Sequence, residues 1–282
     1  MSIREKSVEE EWSTLADELS FKRSKNPSRI SVIIPTHNSN SLLSYTLYSL
    51  TKQNYSNLEI IIVNASSDDP TIPMASIHAP EIVRTYTVAE YNRFEMVNRG
   101  ISSSTGEYIN ILYPGDVHIF PYLLHYIASI IQTNENPSLV YAGSMLQVGN
   151  TPHALLHREI TKKLLRNGHQ PSILQSCWFR KDVFRLIGKF DASFQLRAGY
   201  EWLCRFYNHG GLEAVRGKRI AIDYYTPSIT QRQIIQHFLE TWRVIKRHFG
   251  VKSALVWLIK QKDTTRLIQK WLLKIKTALL GR

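Results

Sequence analysis

The residues that could do chemistry in this chain sit where apolar runs end. Foremost is Asp116. The stretch Gly106-Glu107-Tyr108-Ile109-Asn110-Ile111-Leu112-Tyr113-Pro114-Gly115-Asp116 opens on a turn glycine, runs through a short apolar strand and stops at Pro-Gly-Asp. Such an ending delivers a carboxylate to the carboxyl edge of a sheet, where open α/β sheets bind their ligands. The plain alternative is a turn acid. Two other apolar runs end similarly, one in Pro35-Thr36-His37-Asn38 and one in Asn64-Ala65-Ser66-Ser67-Asp68-Asp69. Glu95 and Asn98 precede the Asp116 strand, and His169-Gln170 and Gly199-Tyr200-Glu201 follow it. Each has an ordinary competitor: turn duty for His37 and Asn38, a solvated charge for Glu95, a structural imidazole for His169.

The elements that must position these residues follow from periodicity. Arg29–Pro35 and Leu58–Val63 are continuous β-branched runs, the mark of strands buried on both faces. Ser39–Gln53 between them has Leu42, Leu43, Leu47 and Leu50 on one side of a helix. A strand, helix and strand in that order make a βαβ unit with parallel strands. Glu81–Val88 predicts a third strand, Glu90–Ser102 a helix, Phe120–Thr133 another helix and Ser138–Val148 a returning strand. Residues 150–225 read as less regular, with a helix over Tyr200–Asn208. Ahead of this domain, Val8, Trp12, Leu15 and Leu19 recur at helical spacing, and Asn26-Pro27-Ser28 breaks the chain. The expected division is a helix and linker over 1–28, a main domain over 29–225 and a helical tail over 226–282.

The chain has 282 residues and a net charge of +12, and that charge is unevenly placed. Residues 241–282 hold eleven Lys or Arg against the single acid Asp263, which leaves only +2 for the other 240 residues. No helix-turn-helix, zinc-finger or RNP motif accompanies this basicity, so nucleic acid is not the expected partner. Leu267, Ile268, Trp271, Leu272, Ile275 and Leu279 share one helical face, with Arg266, Lys270 and Lys274 towards the other. A basic amphipathic helix of this kind suits an anionic membrane surface. The longest clearly apolar run, Ala254–Ile259, is far short of the roughly 20 residues that span a bilayer. Two cysteines and a charged N-terminus without an apolar leader point to a reducing compartment. The expected location is cytoplasmic, on the inner face of the membrane.

Ser31-Val32-Ile33-Ile34-Pro35-Thr36-His37-Asn38 resembles the first strand and turn of family 2 glycosyltransferases of the GT-A fold. Leu58–Asp69 resembles that family's second strand and nucleotide loop. Asn98-Arg99-Gly100-Ile101 with Thr105-Gly106-Glu107-Tyr108-Ile109 matches the run into its metal-site strand, and Tyr113-Pro114-Gly115-Asp116 falls at its DxD-type motif. His169-Gln170, Gly188-Lys189-Phe190-Asp191 and Ala198-Gly199-Tyr200-Glu201-Trp202 fall, in order, at its acceptor-side signals. The resemblance implies a Rossmann-like α/β fold: a mixed, mostly parallel sheet flanked by helices, here with a basic helical C-terminal tail.

It also implies a nucleotide-sugar donor, UDP-linked, and transfer with inversion to a glycan or lipid-linked acceptor. Pro35, Thr36, His37, Asn38, Asn64, Ser66, Asp68, Asn98, Pro114, Gly115 and Asp116 would hold the nucleotide. His169, Gln170 and Gly199 would face the acceptor. Asp116 would ligate Mg²⁺ or Mn²⁺, hard cations suited to oxygen donors. The sequence departs from the family at its acids: Asn64 or Ala65 in the nucleotide loop, Tyr113 and Gly115 in the metal motif, and Gly199 where the family has its catalytic Asp. Glu201 and Glu95 are the remaining candidate bases, although Glu201 is about 200° from residue 199 around a helix. A second reading follows from the lost acids: an inactive GT-A domain that binds a glycan or a partner protein.

Overall fold

The computed structural model describes residues 27–39, 41–65, 81–148, 154–226 and 230–261. The expected N-terminal helix, Ser66 and Asp68, and the amphipathic segment 267–280 lie outside the described residues. Four parallel strands form one half of the sheet: β1 (Ile30–Thr36), β2 (Leu58–Ala65), β3 (Val83–Val88) and β4 (Tyr108–Ile111), in the order β3-β2-β1-β4. All seven residues of β1 and all eight of β2 are buried. The cause is a helix layer on each face. Ile33 packs with Phe94, Met96, Val97 and Ile101 of α2 (Arg93–Ser103). Val32 and Ile34 pack on the other face with Leu43 and Leu50 of α1 (Ser41–Thr51) and with α3 (Leu123–Thr133). A strand sandwiched in this way needs apolar residues on both sides, which explains the unbroken run.

Part of the other half of the sheet lies in residues 150–225, which read as irregular; its central strand is the returning one that Ser138–Val148 predicts. β8 (Cys177–Arg180) runs antiparallel to both β4 and β6 (Leu139–Val148). β9 (Ala214–Thr226) lies parallel to β6 and antiparallel to the short β5 (Val117–His118), and β7 (Ala154–Leu156) pairs with β6. Between these strands come the short helices α4 (Lys162–Arg166) and α5 (Val183–Leu186), and then α6 (Ala198–His209).

The last described element is α7 (Gln231–Lys260), which opens on a Thr230–Gln233 capping box and kinks at Gly250 (φ 82°). Its Val244, Ile245, Ala254 and Trp257 are buried in the same cluster as α2 and α6. The first half of the expected tail is thus part of the domain's core.

Candidate active site

The carboxyl ends of β1, β2 and β4 form one edge. Thr36 stands in register with Asn64, and both are buried. Pro35 lies within β1 as part of the strand. The His37 Nδ1–H donates to the Ala65 carbonyl at 2.6 Å, which ties the two strand ends together. The His37 ring lies 5.3 Å from that of Tyr91, and both side chains are open to solvent. Asn38 turns the chain at φ 49°. On the other side of β1, Leu112 still pairs with Ile33, and then Tyr113–Asp116 make a turn. Gly115 sits at φ 99°, a conformation suited to glycine, and its N–H reaches Thr46 Oγ1 on α1 at 2.9 Å. The structure therefore brings Thr36, His37, Asn38, Asn64, Pro114, Gly115 and Asp116 to one edge.

Asp116 is more enclosed than a surface ligand would be. It is 1% exposed, and its Oδ2 accepts the Tyr113 N–H at 2.6 Å. Burial pushes its carboxyl up to about 7, against the Tyr113 amide, a hydrogen bond from Gln175 and the charge of Arg93, which all favour the ionised form. Asp223 on β9 adds to the rise.

Beside this turn opens a cavity of about 320 Å³ whose wall includes Arg93, Tyr113, Gln170, Leu174, Gln175, Arg197, Gly199 and His237. Its charged groups are basic. The Arg93 guanidinium lies flat on Tyr113, with 3.7 Å between its carbon and the ring centre. Arg197 is 6% exposed; it donates to the Gly168 carbonyl at 2.8 Å and lies over the Tyr200 ring at 4.1 Å. Its Nε has no hydrogen-bond partner. Burial pulls the Arg197 guanidinium down to about 10, so it remains charged at neutral pH.

Arg197 is held from behind by Glu240 of α7. This buried carboxylate accepts the N–H groups of Gln195, Leu196 and Arg197 at 2.8, 2.9 and 2.8 Å. These donors lie in the segment that leads into α6; buried backbone N–H groups need acceptors, and here a distant helix supplies one.

Several expected site residues are placed elsewhere. Glu201, a candidate base, is 2% exposed and does not line the cavity. It holds His248 at 2.9 Å, Arg205 at 2.8 Å and Arg247 at 3.6 Å. Burial raises its carboxyl, but the hydrogen bonds from His248 and Arg205 outweigh that and hold it below the usual range. A carboxylate paired with two guanidinium groups and hydrogen-bonded to an imidazole is a poor proton acceptor, so Glu201 joins α6 to α7 instead. Glu95 is exposed on the first turn of α2, away from the cavity. Asn98 spends its amide on Phe190, donating to its carbonyl at 2.8 Å and accepting its N–H at 3.1 Å, so it clamps a loop and does not face a nucleotide. Gln170 and Gly199 line the basic cavity, whereas the exposed His169 faces a separate one of about 660 Å³, with His237 at the junction of both. A Cβ on Gly199 would lie 2.7 Å from the Leu174 side chain. Sequence reasoning did not find Arg93, Arg197, Gln175 or Glu240; each acquires its place through segments far away in the chain.

The family model described as Glycosyl transferase family 2 matches residues 31–186, more than half of the chain. The chain belongs to glycosyl transferase family 2. It is 22% identical over 260 residues to a PGL/p-HBAD biosynthesis glycosyltransferase of Mycobacterium bovis, covering 89% of this chain and 94% of that one. It is 26% identical over 187 residues to an uncharacterized glycosyltransferase of Rickettsia prowazekii, covering 63% and 58%. Among solved structures, S. aureus TarS 1–349 superposes with a TM-score of 0.61 at 15% identity, covering 83% of this chain and 66% of TarS 1–349. The mannosyltransferase PcManGT from Pyrobaculum calidifontis, solved with GDP-Man and Mn²⁺, gives 0.55 at 14%, covering 88% and 80%. The fold is the GT-A fold that the sequence motifs imply.

The donor set for a divalent cation in this family 2 chain is thin. No cluster of three His, Cys, Asp or Glu suited to a metal occurs among the described residues. Asp116 is buried with its oxygens engaged, Asp223 is a carboxylate neighbour, and neither lines the basic cavity. These residues do not fit the carboxylate-bridged Mg²⁺ or Mn²⁺ expected from the resemblance.

Proposed function

We propose that this chain transfers a sugar from a nucleotide-sugar donor, UDP-linked, to a glycan or lipid-linked acceptor with inversion. The observation that carries this reading is that the turn Tyr113–Asp116 stands between two features: strand ends at Thr36–Asn38 and Asn64, and a basic cavity at Arg93 and Arg197 with Tyr113, Gln170 and Gly199 on its wall. The nucleoside would lie along the strand ends and the diphosphate and sugar in the cavity. TarS was solved with UDP and with UDP-GlcNAc, which supports a UDP-linked donor. Gly199 lacks a side chain, Glu201 is paired, and burial with the charge of Arg197 pulls the His237 imidazole on the wall down to about 4, so it is neutral and a weak base. The Mycobacterium bovis relative's role in PGL/p-HBAD biosynthesis supports a lipid-linked acceptor. The basic tail would then hold the protein on an anionic inner membrane face; no helix among the described residues is long and apolar enough to cross a membrane.

A second reading is favoured by Gly199 alone: a GT-A domain that binds donor or glycan without transfer. An assay of donor hydrolysis and transfer with a panel of UDP-, GDP- and dTDP-sugars separates the two. Turnover of one donor supports the enzyme. Binding without turnover of any donor overturns it.

A further inference from the structure

We propose that Arg93 and Arg197 supply the positive charge against the donor's diphosphate that a divalent cation would otherwise supply, so that this chain binds a nucleoside diphosphate without metal. The inference rests on the nucleotide-sugar reading above. In the transfer, the acceptor oxygen bonds to the anomeric carbon as the bond to the diphosphate oxygen breaks. The electron pair leaves with the diphosphate, and the acceptor's proton goes to a base. Negative charge therefore grows on the diphosphate, and preorganised cations beside it lower the barrier.

Two guanidiniums are on the wall of the same cavity, and among the described residues no carboxylate shares that wall. Both are fixed before any ligand arrives. Arg93 is stacked on Tyr113, in the turn where a metal-binding acid would be expected. Arg197 is anchored through the Gly168 carbonyl, and its backbone is held by Glu240. Its Nε is a buried donor that has no hydrogen-bond acceptor. A guanidinium is charged at any physiological pH and can present two parallel N–H groups to a phosphate. Asp116, by contrast, is tucked beneath the Tyr113 turn, where its Oδ2 is taken up by the turn's own N–H.

The test is calorimetry with UDP and GDP, each in EDTA and in Mn²⁺, on the wild type, Arg93→Gln and Asp116→Asn. Arg93→Gln carries the test because Arg93 is partly exposed on a first helical turn; circular dichroism checks that it folds. The expected result is UDP affinity in EDTA within about two-fold of that in Mn²⁺. Arg93→Gln should weaken binding about ten-fold or more in both, the scale of a lost charge-assisted pair. Inorganic pyrophosphate should displace UDP from the wild type in EDTA, and Asp116→Asn should leave the response to Mn²⁺ unchanged. Binding that appears only with Mn²⁺, or Arg93→Gln binding UDP in EDTA as the wild type does, overturns the inference while leaving the donor site standing. No binding of either nucleotide in any condition overturns the donor-site reading and the inference with it.

Discussion

Leu174 holds the space that a side chain on residue 199 would need. Its tip lies 2.7 Å from where a Cβ on Gly199 would be, and both residues are on the cavity wall. Restoring the family's acid is therefore more than a point change. Gly199→Asp alone should lower stability by about 1–3 kcal/mol, as overpacked cores do, and should not raise transfer. The pair Gly199→Asp with Leu174→Ala gives the carboxylate room. Urea unfolding and a transfer assay should show stability partly recovered and transfer raised relative to the single variant; equal stability of Gly199→Asp and wild type would contradict this packing. At this scale the sequence showed which position lacks its acid. It could not show the neighbour that fills the gap, because Leu174 reaches residue 199 only through the fold. The same holds for Asp116, whose place at the strand end was legible but whose burial depends on Tyr113 and Gln175.

Among the elements, α7 does the most that sequence reasoning did not foresee. Glu240 holds the backbone that leads into α6, and Arg247 and His248 close on Glu201 from the same helix. Against burial, His248 and Arg205 hold Glu201 below its usual 4.5. A lowered carboxylate contributes stability that is present above its unfolded-state value and is lost as pH falls through its folded-state value. Thermal unfolding from pH 7 down to pH 2 should therefore show wild-type stability falling below about pH 4.5. Glu201→Gln should be less stable at pH 7 by about 3 kcal/mol, the scale for a buried pair that loses one partner, and should fall less steeply in acid. Some fall remains through Asp191, which a hydrogen bond from Arg247 helps to hold at about 2 against burial. Parallel acid slopes for the two proteins would show that Glu201 is not the linked group. Strands β1, β2 and β4 were legible because they are buried on both faces. β9 was not: Arg216, Lys218 and Arg219 interrupt its apolar residues, and its pairing with β6 joins segments some seventy-five residues apart.

The described residues set an edge of strand ends and a basic cavity on either side of the Tyr113–Asp116 turn, with the helix that begins the expected tail behind the cavity. The chain's positive charge thus has two places, the cavity and the last 42 residues. If the tail carries membrane attachment, deleting residues 262–282 should release the protein from anionic vesicles while leaving α7 and the core intact. In the intact chain the attachment should weaken with salt as the Debye length shrinks. Co-sedimentation measures both, and unchanged sedimentation of the deletion would place the attachment elsewhere. The central claim, a nucleotide-sugar donor lying from the ends of β1 and β2 into the Arg93–Arg197 cavity, is tested most directly by a crystal structure grown with UDP. The account predicts uracil and ribose beside Thr36–Asn38 and Asn64, with the diphosphate hydrogen-bonded to Arg93 and Arg197. A diphosphate bound away from both arginines, or a nucleoside off the β1–β2 edge, would contradict it.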